Sequence, residues 1–428
     1  MPLKPMPFRL TTLSLCLPLA LAPATACAQA APTTRVRPDD PAVRSALQTI
    51  RDDNAWTLEQ QVSICEIPAP PFGEAARAAE FMNRLTALGL ENARIDEEGN
   101  VIAERPGSSA DGPTVVISGH LDTVFPAGTD VTVAHEGTRF TAPGIGDDCR
   151  GLAVVLAVAR ALQQAEVETD GTILFVGTVG EEGAGNLRGV RHLFANELRG
   201  EIDYFISVDG TGLGTTSGAV GSHRYRVSYR GPGGHSYGAF GMPNPIHALG
   251  RAIDKFADFT VPEDPKTTFN VGIVEGGTSV NSIPFEASMD VDMRSVSQDT
   301  LDALDSRFRA ILVEAHDEEH ARWPESDARL TLHIDTIGIR PTGAQADSAE
   351  VVRVAIAAGE ALGFTSETGR SSTDSNIPIS LGIPAITIDG GGSGRGAHSL
   401  DEWYDDGEDG YLGPQWATLI VTALAGVR

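Results

Sequence analysis

The 428-residue sequence is poor in cysteine, in aromatic side chains, in positive charge and in apolar runs long enough to cross a bilayer. Each shortage excludes something. Of four cysteines, Cys16 and Cys27 fall in the first 30 residues, and the remaining Cys65 and Cys149 are too few for a disulfide framework. Lys and Arg number 32 against 58 Asp and Glu, a formal net charge of −26 that repels a phosphate backbone and an anionic membrane alike, so nucleic acid is excluded as a partner. The acidity is read as a solvated surface. Aromatics make up 6% while Gly (47) and Pro (26) are abundant, which describes a loop-rich globular chain and neither a coiled coil nor a disordered tail. At roughly 100–200 residues per domain, the length suggests two to three domains.

The first 30 residues are expected to be a signal peptide. Lys4 and Arg9 precede an apolar run over residues 10–22, and the small-residue triplet Ala28-Gln29-Ala30 follows. Pro18 and Pro23 interrupt a run already shorter than the ~20 residues that span a bilayer. Cys27, after Ala-Thr-Ala, is the minor alternative as a lipid-attachment cysteine, although Ala24 stands where Leu is usual. The mature protein is expected to be exported, periplasmic or secreted, with no membrane contact once the signal is removed.

Residues 39–90 show helical periodicity, broken by a Pro-rich loop at 67–74. Buried strands then alternate with helices: strands at 115–118, 172–176 and 204–208, and a helix over 152–163. This alternation predicts an α/β domain with a mostly parallel sheet. Near Gly218 the texture changes to an alternating strand at 223–229, a helix over 244–258, strands at 268–274 and 287–293, a charged helix over 299–319 and a strand at 330–334. That order, β-α-β-β-α-β, is the split βαβ pattern of a ferredoxin-like domain. The α/β texture then resumes with a helix at 349–362 and a strand at 385–388. The expected organisation is a catalytic domain at 31–217 and 337–428, interrupted by an inserted ferredoxin-like domain at 218–336.

Chemistry-bearing residues collect after the strands. His120 and Asp122 follow the first, and in extended geometry side chains two apart share a face, so Asp122 is placed to accept the second ring N–H of His120. Asp147-Asp148 lies in a glycine-flanked loop, Glu181-Glu182 follows the strand at 172–176, Asp209 follows the one at 204–208, and His398 lies in a glycine-rich loop after the one at 385–388. Ligands of open α/β sheets bind outside the carboxyl ends of the strands. Carboxylates gathered there repel one another unless a cation compensates. Two histidines with carboxylates and no thiolate cluster suit zinc or another borderline divalent ion, and a carboxylate can bridge two of them. The tandem glutamates point to opposite sides of an extended segment, so that one can bind metal while the other faces the water.

The run Gly119-His120-Leu121-Asp122-Thr123, the Gly-x-Gly-Asp-Asp loop ending at Asp148, Glu181-Glu182, Ser207-Val208-Asp209-Gly210, Gly233-Gly234-His235-Ser236 and Ala397-His398-Ser399 resemble, in this order, the M20 family of zinc-dependent peptidases, nearest its peptidase T-like and carboxypeptidase G-like branches. The resemblance implies a zinc-exopeptidase-like fold and two Zn2+ ions, with Co2+ or Mn2+ able to substitute. His120, Asp147 and Asp209 would hold one ion and Asp147, Glu182 and His398 the other. Glu181 would be general base and acid, Asp122 would orient His120, and a cis peptide would join Asp147 to Asp148. His235 would reach into a partner subunit's site in a homodimer formed through the inserted domain. Arg294 and Asn281 would grip the substrate carboxylate. The implied activity is hydrolysis of short peptides, with an N-acyl amino acid amidohydrolase as the alternative on the same site.

Where many of that family carry Lys-Gly after the acidic pair, this chain has Cys149-Arg150. Cys149 is expected to be a packed thiol with a raised pKa, because neighbouring carboxylates repel a thiolate. A rival motif, His316-Asp317-Glu318-Glu319-His320, has the H-x-x-E-H zinc-protease pattern but sits on a charged helix and is read as a solvated face. His135, His192, His223, His247 and His333 are read as structural. A binding protein on an inactive scaffold and a two-carboxylate glycoside hydrolase are the readings from other classes. The first leaves the retention of Glu181, Glu182 and His398 unexplained, and the second leaves the histidines unexplained.

Overall fold

A computed structural model describes residues 35–428. The expected signal segment, with Cys16 and Cys27, lies outside the described residues. Among the described residues no helix is long and apolar enough to cross a membrane.

The main sheet has nine strands. Its centre is four parallel strands in the order Thr172–Thr178, Thr114–His120, Tyr204–Val208 and Ala385–Ile388. Antiparallel strands Val101–Arg105 and Thr215–Ala219 flank them. The central strands are nearly continuous Val, Ile, Leu and Phe because both faces are covered. Val115, Ile117, Ile173 and Phe175 enter the core beneath helices Cys149–Gln164 and Leu412–Ala425. Val116, Leu174 and Val176 point the other way, onto Leu187, Val190 and Leu193. The alternation is the two-residue period of a strand, and each fully buried side chain contributes ~1.5–3 kcal/mol of apolar burial.

The second sheet is antiparallel, in the order Thr267–Gly276, Glu286–Ser295, Gly221–Arg230 and Thr331–Arg340. Helices Pro245–Ala257 and Gln298–Ala321 close a separate apolar cluster around Tyr225, Leu249, Phe256, Phe308 and Met289. The chain order and the strand order are those of a ferredoxin-like unit. Both α-helical caps follow from sequence: the Asn244 side chain accepts from the Ile246 N–H at 2.9 Å, and the Ser297 hydroxyl accepts from that of Thr300.

Two elements depart from expectation. The C-terminal helix Leu412–Ala425 buries even its polar side chains Gln415, Thr418 and Thr422, and so lacks the exposed polar face that would announce a helix. Cys65 and Cys149 are joined in a disulfide, with Cα atoms 5.4 Å apart, so Cys149 is not the free packed thiol expected. Helix Asn54–Cys65 ends against the start of helix Cys149–Gln164, and no local signal marks a pairing across 84 residues.

Gly151, in the first turn of helix Cys149–Gln164, shows why the helix meets the strand ends so closely. A Cβ there would stand 2.2 Å from Asp148 Oδ1 and 2.3 Å from the Val208 carbonyl oxygen. Gly151→Ala is therefore expected to lower the urea midpoint by the equivalent of about 1–3 kcal/mol, the cost of overpacking. Gly250→Ala, on a helix with nothing within 4 Å of the added methyl, should be neutral or stabilising. Equal midpoints for the two variants would contradict this packing account.

Candidate metal centre

The four central strands end on one rim, and each delivers part of the site. His120 is the last residue of its strand, Glu181 and Glu182 follow Thr172–Thr178, Asp209 follows Tyr204–Val208, and His398 comes from the loop after Ala385–Ile388. Asp147 enters from the loop before helix Cys149–Gln164, joined to Asp148 by a cis peptide bond. His120, Asp147 and Asp209 offer ligand atoms within 4.8 Å of one another, and so do Asp147, Glu182 and His398. Asp147 belongs to both groups. His120 Nε2 lies 2.9 Å from Asp147 Oδ1, and His398 Nε2 lies 3.2 Å from Oδ2. His398 Nε2 is also 2.9 Å from Glu182 Oε1. His120, Glu181 and Glu182 form a third such group.

The remaining acids hold these groups in place. Asp148 caps helix Cys149–Gln164, its Oδ1 accepting from the Gly151 N–H at 2.9 Å while Oδ2 accepts from the His120 N–H at 2.8 Å. Asp122 accepts from the backbone N–H groups of Glu181 and Glu182 at 3.0 and 2.8 Å. Its link to His120 differs in detail from the expected carboxylate contact. Nδ1 of His120 donates to the Asp122 backbone carbonyl at 3.1 Å, with the carboxylate farther off at 3.6 Å, and Nε2 is left facing Asp147. The strand ends at His120, so the chain turns before Asp122 and the peptide oxygen comes nearest.

Charge is the dominant feature. Burial opposes ionisation of Asp147, yet hydrogen bonds from His120 and His398 hold its carboxyl well below the usual range. Burial pushes the Asp209 carboxyl well up, and the charge of Asp147 adds to it. Burial would lower His120, but hydrogen bonds to Asp122 and Asp147 raise it well above its ordinary value. Glu181 is pushed up to about 8 by burial, with Arg340 opposing and Glu182 adding to the shift. Without a metal, protons on the imidazoles do the compensating. Two imidazoles among convergent carboxylates, with oxygen and nitrogen donors only, fit borderline divalent cations.

The centre lines a cavity of about 590 Å³ that Arg224, Arg294 and Arg340 also line. Asp292 pairs with both Arg224 and Arg294, at 2.9 and 2.7 Å. Asn281 and His235 lie elsewhere: neither lines the cavity, and both are exposed. They sit together where Gly234–His235 pairs with Ser282–Ile283, and the Ser236 N–H donates to the Asn281 carbonyl at 2.9 Å. His316 and His320 spend ring nitrogens on the backbone of Leu330, each at 3.1 Å, and Glu319 is fully buried with Arg251 at 3.2 Å, so the motif is a packed helix face and not the solvated one expected.

Sequence reasoning missed Arg340, Glu402 and Asp374. Arg340, the last residue of strand Thr331–Arg340, reaches Glu181 Oε1 at 3.1 Å and also donates to the Glu181 carbonyl. Glu402 accepts from the N–H groups of Gly144, Gly146 and Asp147 at 2.8, 2.8 and 2.9 Å, fastening the Asp147 loop to the His398 loop. Asp374 is buried and accepts from the Thr178 hydroxyl at 2.6 Å. A carboxylate four residues after His398 was the available signal for Glu402; nothing local marks the others.

Residues 116–414 match the profile described as Peptidase family M20/M25/M40. Carboxypeptidase G2 of Pseudomonas sp. (strain RS-16) is 27% identical over 346 residues, 77% of this chain and 79% of that protein. Succinyl-diaminopimelate desuccinylase of Burkholderia lata is 30% identical over 264 residues, 57% of this chain and 69% of that protein. The crystal structure of aminopeptidase PepT from Bacillus cereus superposes with a TM-score of 0.68 at 22% identity, covering 86% of this chain and 98% of that one.

The metal-free protein should lose thermal stability as pH rises. Hydrogen bonds to Asp147 and Glu182 hold the His398 proton up to about 10 against an ordinary 6.5, so its contribution is complete below 6.5 and lost as pH climbs through 10. Glu181, raised from 4.5 to about 8, acts with the same sign over its own window. A melting temperature in chelator that rises between pH 6.5 and 10 would contradict the assignment.

Proposed function

Because the chain belongs to Peptidase family M20/M25/M40, we propose that this hydrolase is an exported exopeptidase that cleaves short peptides at a centre holding two divalent ions, with zinc as the native metal and Co2+ or Mn2+ able to substitute. The observation that carries the reading is the pair of ligand groups sharing Asp147 at the carboxyl ends of four parallel strands. His120, Asp147 and Asp209 would hold one ion, and Asp147, Glu182 and His398 the other. Bound there, the metal pair would polarise the scissile carbonyl and lower the pKa of water. Export is supported by the buried Cys65–Cys149 disulfide, a bond that persists in oxidising compartments.

The chain's own residues supply the rest. Glu181, raised by burial into the neutral range, takes the proton of the attacking water on its carboxylate and returns it to the leaving nitrogen. Arg340 orients that carboxylate through its 3.1 Å contact. Asp122 positions His120 and both glutamate backbones. Arg294, which lines the same cavity, would receive a substrate carboxylate, for which a planar guanidinium is suited. The four-stranded unit, which runs from Gly221 to Arg340 and so ends past the boundary expected at 336, serves as lid and dimerisation domain. Exposed Tyr237, Phe240 and Val280 and the open edge strand Thr267–Gly276 with Ile273 and Val274 support pairing with a second copy. In that dimer His235 and Asn281 act in the partner's cavity, which accounts for their distance from their own.

The second reading, an N-acyl amino acid amidohydrolase, is favoured by the similarity to a succinyl-diaminopimelate desuccinylase. The same water chemistry cuts either amide. Hydrolysis of a di- and tripeptide panel, set against N-acyl amino acids, decides between them. Activity should vanish on chelation and return with added zinc. Glu181→Ala is expected to keep its metal and lose about 10²–10⁴ in kcat. Full activity in chelator, or in Glu181→Ala, would overturn the mechanism. His235→Ala and Glu181→Ala, each inactive alone, should regain partial activity when mixed and allowed to exchange subunits; no recovery would remove the cross-subunit role.

A further inference from the structure

We propose that the Cys65–Cys149 disulfide, with Arg77, is a positioning clamp that sets the distance between the two segments bearing His120 and Asp147 and thereby tunes metal affinity. The inference rests on the metal centre proposed above.

Cys149 follows Asp147-Asp148 directly, and both cysteines are fully buried. Its partner Cys65 is the last residue of helix Asn54–Cys65. That same helix end is tied to the other ligand segment. Arg77, fully buried on helix Ala75–Ala87, donates to the Cys65 carbonyl at 3.1 Å and to the Leu121 carbonyl at 2.9 Å, between His120 and Asp122. It also donates to the Ile67 carbonyl at 2.9 Å. One anchor therefore reaches both sides of the His120–Asp147 contact: covalently to the Asp147 loop, and through a guanidinium to the His120 segment. Gln61, one turn earlier on the same helix, donates to the Ile145 carbonyl at 2.8 Å and adds a second tie to the Asp147 loop.

The loop is held on its other flank by noncovalent contacts. Glu402 accepts its three N–H groups, and Arg150 donates to the carbonyls of Gly390 and Gly410 at 2.7 and 2.6 Å. Those contacts connect it to the His398 side of the centre. On the His120 side the disulfide is the only covalent link among the described residues. A bridging carboxylate has to satisfy two ions at once, so a small displacement of its loop acts on both sites. Outer contacts that orient ligands commonly change metal affinity 10–100-fold.

The test compares the metal affinity of the purified mature protein with that of Cys65→Ala/Cys149→Ala, by zinc competition against a chromophoric chelator, alongside the melting temperature of each metal-free form. The expected result is zinc binding about tenfold weaker or more in the double variant. Phe256→Ala, which removes a buried ring from the separate core of the four-stranded unit, should lower the melting temperature and leave zinc affinity unchanged. If the alanine pair fails to fold, Cys65→Val/Cys149→Ala, which refills much of the lost volume, is read the same way. Zinc affinity within about twofold of the parent overturns the clamp, as does alkylation of Cys65 and Cys149 as free thiols in the unreduced, denatured protein. A parent chain that binds no zinc overturns the metal-centre reading itself, and is distinguishable because the disulfide would still be found.

Discussion

Electrostatic compensation among buried acids is the constraint on which the structure depends. Asp147, Asp148, Glu181, Glu182 and Asp209 converge within one rim of the main sheet, with two imidazoles as the nearest cations to Asp147. Removing several carboxylates from water is expensive unless opposite charge or hydrogen bonds replace the lost hydration. The fold meets that requirement in two ways. In some acids burial pushes the carboxyl well up, as in Asp148 and Asp209. Others are held ionised by histidine, as Asp147 is. A divalent ion would replace the histidine protons with a charge that does not titrate, which is why the same geometry that is uneasy without metal suits its binding.

Much of the site's order comes from residues that hold backbone. Asp122, Asp148 and Glu402 each spend their carboxylates on peptide N–H groups of the segments that carry the ligands. These bonds convert three flexible connections into a rim with defined directions. Gly151 lets the helix start close against the strand ends, and the disulfide joins the same helix to its neighbour. The side chains of the candidate ligands take little part in this scaffolding and contact mainly one another, as His398 does Asp147 and Glu182.

The four-stranded unit contributes the opposite sign of charge. Arg224 and Arg294 share Asp292 across adjacent strands, and Arg340 crosses to Glu181. Arg224 also donates to the Gly183 carbonyl at 3.3 Å, next to the glutamate pair. The cavity is therefore lined by carboxylates and guanidinium groups together.

Much was legible from the order of residues alone. Strands such as Tyr204–Val208 and Ala385–Ile388 are readable because buried parallel strands are unbroken apolar runs, and the ends of such strands and the segments after them carry His120, Glu182, Asp209 and His398. The acid pair at Asp147-Asp148 was visible too, but which acid faces a metal and which caps a helix depends on the turn between them. Short-range pattern carries no information about partners far apart along the chain. That is why the Cys65–Cys149 bond, the Arg340–Glu181 pair and the three N–H contacts of Glu402 emerged only in three dimensions. Sequence determined the element types, the ligand chemistry and the rim on which it gathers, because periodicity and residue type are local properties. Tertiary structure alone decided which side chains hold the ligands in place, because those contacts join segments that only folding brings together.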